Sequence, residues 1–398
     1  MVKSKKHSAL RITCGAHVVH DGLVDMLYAL LPLLRDAFGL SFAQVGLLRA
    51  VHKTATAAFQ IPVGIWSERT GTRPLLVAGT ALAGFGFLGL GSANNFGAIL
   101  TFIFFAGCGG AFQHPLSSAI LSHNYSKNGQ RAALGIYNAF GDIGKFLFLG
   151  TTIFATASLN YNWQAPVYCF GIIALLTALV IWLLLKASAI GARPKKPLSK
   201  TTVGGTSGWG VKHPRGFVLL GSITALDNTT RNGFLTFAAF LMIEKGVSTE
   251  WSALAVLVTV FGGMCGKMAV GMIAERIGVT KTIALTEFAT ALMILAIVAM
   301  PSLYAFFLLP VLGVFLNGTS SAIYGTVPDL IKGEKHSRAY GLIYTLGSIC
   351  GIIAPLGYGI LADWTNVETT MIVVAGVVLL TVPLCKFLAI AIQEARQL

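Results

Sequence analysis

Twelve long apolar stretches follow one another along this chain. Each is about the length an α-helix needs to cross a bilayer, roughly 20 residues. They lie near residues 10–34, 44–66, 74–93, 97–122, 131–157, 163–186, 215–243, 249–274, 279–299, 303–330, 338–361 and 367–392. Hydrocarbon offers no partner to a backbone N–H or C=O, so such stretches are expected to be helices. The composition points the same way. Hydrophobic types make up 55% of the 398 residues and Asp, Glu, Lys and Arg only 11%, against roughly 25% in an ordinary soluble domain. The expected fold is an all-α integral membrane protein with twelve transmembrane helices.

The net charge of +14 would suggest nucleic acid as a partner of a soluble protein. In a membrane protein, lysines and arginines collect on the cytoplasmic side. With the N-terminus cytoplasmic, the twelve-span layout puts 22 of the 29 basic residues in cytoplasmic tails and loops and only Arg35 and Lys245 opposite. Both termini are therefore expected in the cytoplasm, with the chain multi-pass in a bacterial inner membrane. The first span, after Lys3, Lys5 and Lys6, reads as a retained helix rather than a cleaved leader. Residues 187–214 are rich in Gly, Pro, Lys and Thr and lack apolar periodicity. They are expected to be a flexible cytoplasmic loop between bundles at 1–186 and 215–398. Six scattered cysteines show no CxxC spacing, so neither a disulfide framework nor a zinc site is indicated.

The two bundles resemble each other. GIWSERTGTR at 64–73 and GMIAERIGVTK at 271–281 share Gly64, Glu68, Arg69 and Gly71 with Gly271, Glu275, Arg276 and Gly278, at a constant offset of 207. The same offset pairs Arg131, Ile136, Tyr137 and Gly144 with Arg338, Ile343, Tyr344 and Gly351. Two blocks sharing one offset point to a duplicated six-helix unit. Such parallel repeats place the substrate site near mid-membrane, at the repeat interface. The charged turn residues Glu68, Arg69, Arg73, Arg131, Glu275, Arg276 and Arg338, with glycines 64, 71, 271 and 278, are expected to form a conformational latch at the cytoplasmic rim.

The GxxxERxGxR turn and its second copy resemble the signature of the major facilitator superfamily, and the resemblance covers essentially the whole chain. It implies two pseudo-symmetric six-helix bundles and transport of a small-molecule substrate. A narrower set of residues is similar to the fosmidomycin-resistance-like branch. These are the His and Asp of the first span, YALLPLL after them, LSFAQVGL at 40–47 and FQHP at 112–115. That branch implies export of drugs or organic anions.

A charge at a helix centre costs about 2.5–3.5 kcal/mol on insertion scales, and this chain carries many. His17, Asp21 and Asp25 are spaced four apart in the first span, with His20 beside them, so all four can share a face. Buried carboxyl and imidazole groups can exchange protons near neutral pH. Asp21 and Asp25, with His20 as relay and His17 nearby, are the candidates for proton coupling; a structural ion-pair cluster is the alternative. Arg49, Lys53, Gln113, His114, Asp142, Lys145, Asp227 and Arg231 are the candidates for substrate contact. Pro115, beside His114, is expected to kink its helix. Five basic residues inside spans (Arg49, Lys53, Lys145, Arg231 and Lys267) favour an anionic or zwitterionic solute. Lys267 is assigned to the latch. Glu287 has no assigned role.

Met264, Met268 and Met272 recur every four residues, with Cys265 among them. Thioethers suit soft metals, so a metal or metal-chelate transporter is one alternative, although such stripes are commonly packing. An uncoupled facilitator and a transporter-fold sensor are the others. No GxxxxGK[ST] run appears, so ATP is not expected as the driver. No catalytic triad, cofactor site or resident metal site is indicated. The expected function is secondary active transport by alternating access, proton-coupled, in a monomer with the lipid bilayer and no nucleic acid as partner.

Overall fold

The computed structural model describes residues 2–125, 127–192, 211–330 and 336–397. Residues 193–210 of the expected loop, and the side chains of Arg131 and Arg338, lie outside the described residues. The described chain is helical, with no strand among the described residues.

Its helices are α1 (Val2–Phe38), α2 (Phe42–Thr70), α3 (Thr72–Gly91), α4 (Phe96–Gly110), α5 (Gln113–Asn124), α6 (Lys127–Ile153), α7 (Gln164–Ala187), α8 (Pro214–Glu244), α9 (Thr249–Ser252), α10 (Leu254–Ile277), α11 (Val279–Ala299), α12 (Ser302–Leu330), α13 (His336–Trp364), α14 (Val367–Leu379) and α15 (Thr381–Gln397). A short π-helical segment, Phe154–Ser158, follows α6.

Nine described stretches are long and apolar enough to cross a membrane. The remaining long helices, α2, α6 and α8, are the ones that carry Arg49 and Lys53, Asp142 and Lys145, and Asp227 and Arg231. Their charge, not their length, sets them apart. Large apolar side chains such as Ile61, Phe307 and Trp364 are exposed. Lipid, rather than water, is the solvent that suits such a surface. The protein is a multi-pass membrane protein.

Two expected single spans persist as continuous stretches but are interrupted by short kinks. The stretch 97–122 divides into α4 and α5, and 367–392 into α14 and α15. Proline explains both. Pro115 has no N–H to give the carbonyl of Ala111, and Pro383 has none for Leu379. The helices stop at Gly110 and Leu379 and restart two residues before each proline. The stretch 249–274 also divides, at Ala253, into α9 and α10.

The chain forms two compact units. The first comprises residues 1–39 and 51–203, the second 40–50 and 204–398. In the first, α1 packs on α6, and α3 on α4 and α7; in the second, α8 packs on α13, α10 on α12, and α11 on α12 and α14. Leu76, Leu116, Ile181 and Leu185 anchor the first core. Leu220, Ile283, Val327 and Leu388 anchor the second.

The 207-residue offset reappears in the backbone. α2 ends at Thr70 and α10 at Ile277, and α3 begins at Thr72 and α11 at Val279. Between them stand Gly71 and Gly278, with φ of 85° and 91°. This is a left-handed region that favours glycine.

Candidate functional site

The first unit contains a polar cluster built around Asp21 of α1. Asp21 is largely buried, at 9% exposure. Its Oδ2 lies 3.3 Å from Lys145 Nζ of α6. Lys145 also donates a hydrogen bond to Asp142 Oδ1 at 3.1 Å. Asp21 Oδ1 faces two imidazoles, His17 Nε2 at 3.2 Å and His114 Nε2 of α5 at 3.6 Å. The kink that Pro115 causes after α4 leaves His114 as the second residue of α5. His17 is buried, whereas the His114 side chain is 49% exposed. The cluster therefore has one open side.

Tyr137 of α6 organises the two histidines. Its carbonyl oxygen accepts a hydrogen bond from His17 Nδ1 at 2.7 Å. Its hydroxyl lies 3.4 Å from His114 Nδ1, and its ring stacks on His17 with centroids 3.8 Å apart. The sequence pointed to Tyr137 only as a member of the repeat. The close approach of α1 and α6 comes from glycine. A Cβ on Gly144 would collide with the Val18 carbonyl, and one on Gly141 with the His17 ring.

His17, Asp21, His114, Asp142 and Lys145, singled out in sequence, are thus brought together. His20 is buried, but no ion pair joins it to Asp21 among the described residues. His17 takes the position next to the carboxylate that the sequence assigned to His20. A one-residue step on a helix turns a side chain by about 100°, which explains the exchange. Asp25 is half-buried, and Gln113 is fully buried. Arg49 is buried and Lys53 half-buried, and both make polar or electrostatic contacts.

The second unit holds a smaller cluster. Arg231 Nη2 lies 3.4 Å from Asp227 Oδ2 and donates to Asn228 Oδ1. Glu287 of α11 lies close enough to Asp227 and Arg231 to interact electrostatically with both, and its Oε1 is buried without a hydrogen-bond partner. Both acids are buried, Asp227 at 3% and Glu287 at 2% exposure. Glu287, which had no role in the sequence, is therefore an inward-facing member of this cluster. Glu287 has no charged residue at helical spacing, and Asn228, three residues before Arg231, is uncharged, so neither carries the ion-pair signal that marked Asp227 and Arg231.

The rim residues behave differently. Glu68, Arg69, Glu275 and Arg276 are exposed, with no ion pair among the described residues. Gly64 and Gly271 are half-buried with open space at their Cβ positions. Arg73 lies over the Trp182 ring at 5.2 Å and donates its backbone N–H to Gly191. The methionine stripe turns outward. Met268 and Met272 are exposed and Met264 half-buried, so the stripe builds no enclosed thioether site.

The chain is 24% identical to the fosmidomycin resistance protein of Escherichia coli (strain K12), over 89% of this chain and 86% of that protein. It is 25% identical to the hexuronate transporter of Bacillus subtilis (strain 168), over 87% and 85%. Its fold matches the crystal structure of a bacterial homolog of the human lysosomal transporter Spinster, with a TM-score of 0.79, 15% identity and 98% of each chain covered. The relatives and the fold are those of transporters, not enzymes. The family model described as Major Facilitator Superfamily matches residues 13–355 and, in a second match, 220–397. The chain belongs to the major facilitator superfamily.

Proposed function

We propose that this transporter is a proton-coupled secondary carrier that works by alternating access and moves a small anionic or zwitterionic solute, in the direction of efflux. The observation that carries the proposal is the Asp21 cluster. A carboxylate, two imidazoles and a lysine meet inside the first unit, with one side open through His114. Such groups exchange protons readily, and an intramembrane ionisable cluster marks an ion pathway. The mid-helix cations Arg49, Lys53, Lys145 and Arg231 support an anionic solute. So does one relative's name, since hexuronate is an anion. The likeness to a resistance protein supports efflux. Asp227 and Arg231, with Gln113, His114 and Asp142, complete the proposed substrate contacts. The glycine turns at 71 and 278 support the rim latch. The 22-to-2 distribution of basic residues supports a bacterial inner membrane with both termini cytoplasmic, and bundles at 1–186 and 215–398.

Proton flux in reconstituted vesicles under an imposed pH gradient tests the coupling. A screen of anions, phosphonates and antibiotics for thermal stabilisation identifies the solute, since a ligand raises the melting temperature by mass action. Asp21→Asn and Asp25→Asn are expected to abolish pH-driven transport in folded protein. Full transport with unchanged pH dependence in both variants removes the coupling assignment.

A further inference from the structure

Two features of the Asp21 cluster are not explained by ion pairing. His17 Nδ1 faces a carbonyl oxygen, which only accepts, so Nδ1 carries hydrogen. The ring therefore presents Nε2 to Asp21. That nitrogen is fully buried and makes no hydrogen bond. The distances are also long. Charge-assisted N–H···O bonds run about 2.7–2.9 Å, whereas His17 and His114 stand at 3.2 and 3.6 Å from the same oxygen.

A tetrahedral metal centre accounts for both. Zinc holds imidazole nitrogen and carboxylate oxygen at about 2.0–2.2 Å, which separates neighbouring ligand atoms by about 3.3–3.5 Å. The two observed separations bracket that edge, and all three ligand atoms lie within 4.8 Å of one another. We propose that His17 Nε2, His114 Nε2 and Asp21 Oδ1 form a binding site for a divalent transition-metal ion of the zinc class, with a fourth position open beside His114.

The outer groups fit this assignment. Metal-ligating histidines usually give their other ring nitrogen to a carbonyl or another polar partner, which fixes the tautomer. Tyr137 provides for both rings, through its backbone carbonyl for His17 and its hydroxyl for His114. Lys145 contacts the other carboxylate oxygen, Oδ2, and is shared with Asp142; Lys53 also acts on His114, but no ion pair joins it to Asp21 among the described residues. Oδ1 stays available. Two imidazoles and one carboxylate select zinc, cobalt or nickel over magnesium and calcium, which require oxygen ligands. The site stands on the geometry of the first unit and holds whether or not a proton drives transport.

The test uses full-length, untagged protein in detergent after chelator treatment. Calorimetric titration with Zn²⁺ is expected to show one saturable site that excess Mg²⁺ does not displace. Co²⁺ in its place is expected to give the intense visible absorption of four-coordinate cobalt. His114→Ala, at a half-exposed position, is expected to weaken Zn²⁺ binding by at least ~10-fold, the loss that even an outer partner of a metal ligand causes. His213→Ala, which removes the His213–Glu394 pair at 2.9 Å, is expected to leave binding unchanged. Absence of Zn²⁺ binding by the wild-type protein, equal binding by His114→Ala, or loss in His213→Ala would overturn the assignment. Proton flux through Asp21→Asn is read separately, so the metal site and the coupling reading can fail independently.

Discussion

Lys145 of α6 reaches Asp21 of α1 at 3.3 Å, with the lysine side chain 25% and the aspartate 12% exposed. The pair joins the two helices at the point where each places a charge inside the bilayer. Neither charge is tolerable there alone. The contact is therefore a structural tie between α1 and α6.

The tie predicts coupled stabilities. Removing one partner of a buried pair costs about 3–5 kcal/mol. For Lys145→Met a loss of about 3 kcal/mol is expected, because Lys145 is partly exposed and Asp21 keeps two imidazoles beside it. Asp21→Asn in the same chain should recover part of that loss. Thermal or denaturant unfolding in detergent of the single and double variants measures the interaction, expected to be at least about 1 kcal/mol. Additive losses would show that the two charges do not depend on each other.

Gly144 and Gly351 occupy equivalent places in the repeat but not equivalent surroundings. A methyl on Gly144 would meet the Val18 carbonyl, whereas one on Gly351 would sit 3.5 Å from Asn232, an ordinary contact. Gly144→Ala must separate α1 from α6, and overpacking of this kind costs about 1–3 kcal/mol. Gly351→Ala should fall near wild type. The comparison is made by melting temperature and by yield of monodisperse protein. Equal behaviour of the two variants would contradict the asymmetric packing.

The repeated turn predicts a matched pair of backbone effects. Gly71 and Gly278 both adopt positive φ with extended ψ, a region almost reserved for glycine, where another residue costs about 1–3 kcal/mol. Alanine at either site should destabilise. Gly71→Ala should do so more, because its Cβ would also press on the backbone of Ala192 at 2.7 Å, while Gly278 has open space. Melting curves of the two variants provide the order. A milder effect at Gly71 would contradict it.

Much of this architecture was legible in the residues. Apolar length set the helices, and the duplicated ERxG turn set the repeat, because a turn needing positive φ keeps its glycine in both copies. The i, i+4 spacing of His17 and Asp21, and the i, i+3 spacing of Asp142 and Lys145, put each pair on one face. Periodicity within a helix cannot say which other helix that face meets. So the approach of α5 and α6 to α1, and the role of Tyr137, emerged only in three dimensions. Pro115 announced the kink at Ala111–Phe112, where the backbone stays helical; that the kink presents His114 to Asp21 was not evident from the proline alone.

Glu287 shows the same limit and gives the last prediction. In sequence it is a lone acid in an apolar helix; in the fold it is buried beside Asp227, whose other neighbour is Arg231. Two buried carboxyl groups side by side repel unless one of them carries a hydrogen, and a glutamine amide is neutral and offers an N–H in its place. Glu287→Gln should therefore stay close to wild-type stability. Glu287→Leu replaces the polar neighbour of buried Asp227 by an apolar side chain, at a cost of about 1–3 kcal/mol. Unfolding of the two variants in the same detergent decides the matter. If leucine is tolerated as well as glutamine, the polar contact of Glu287 with Asp227 contributes nothing to holding α11 against α8.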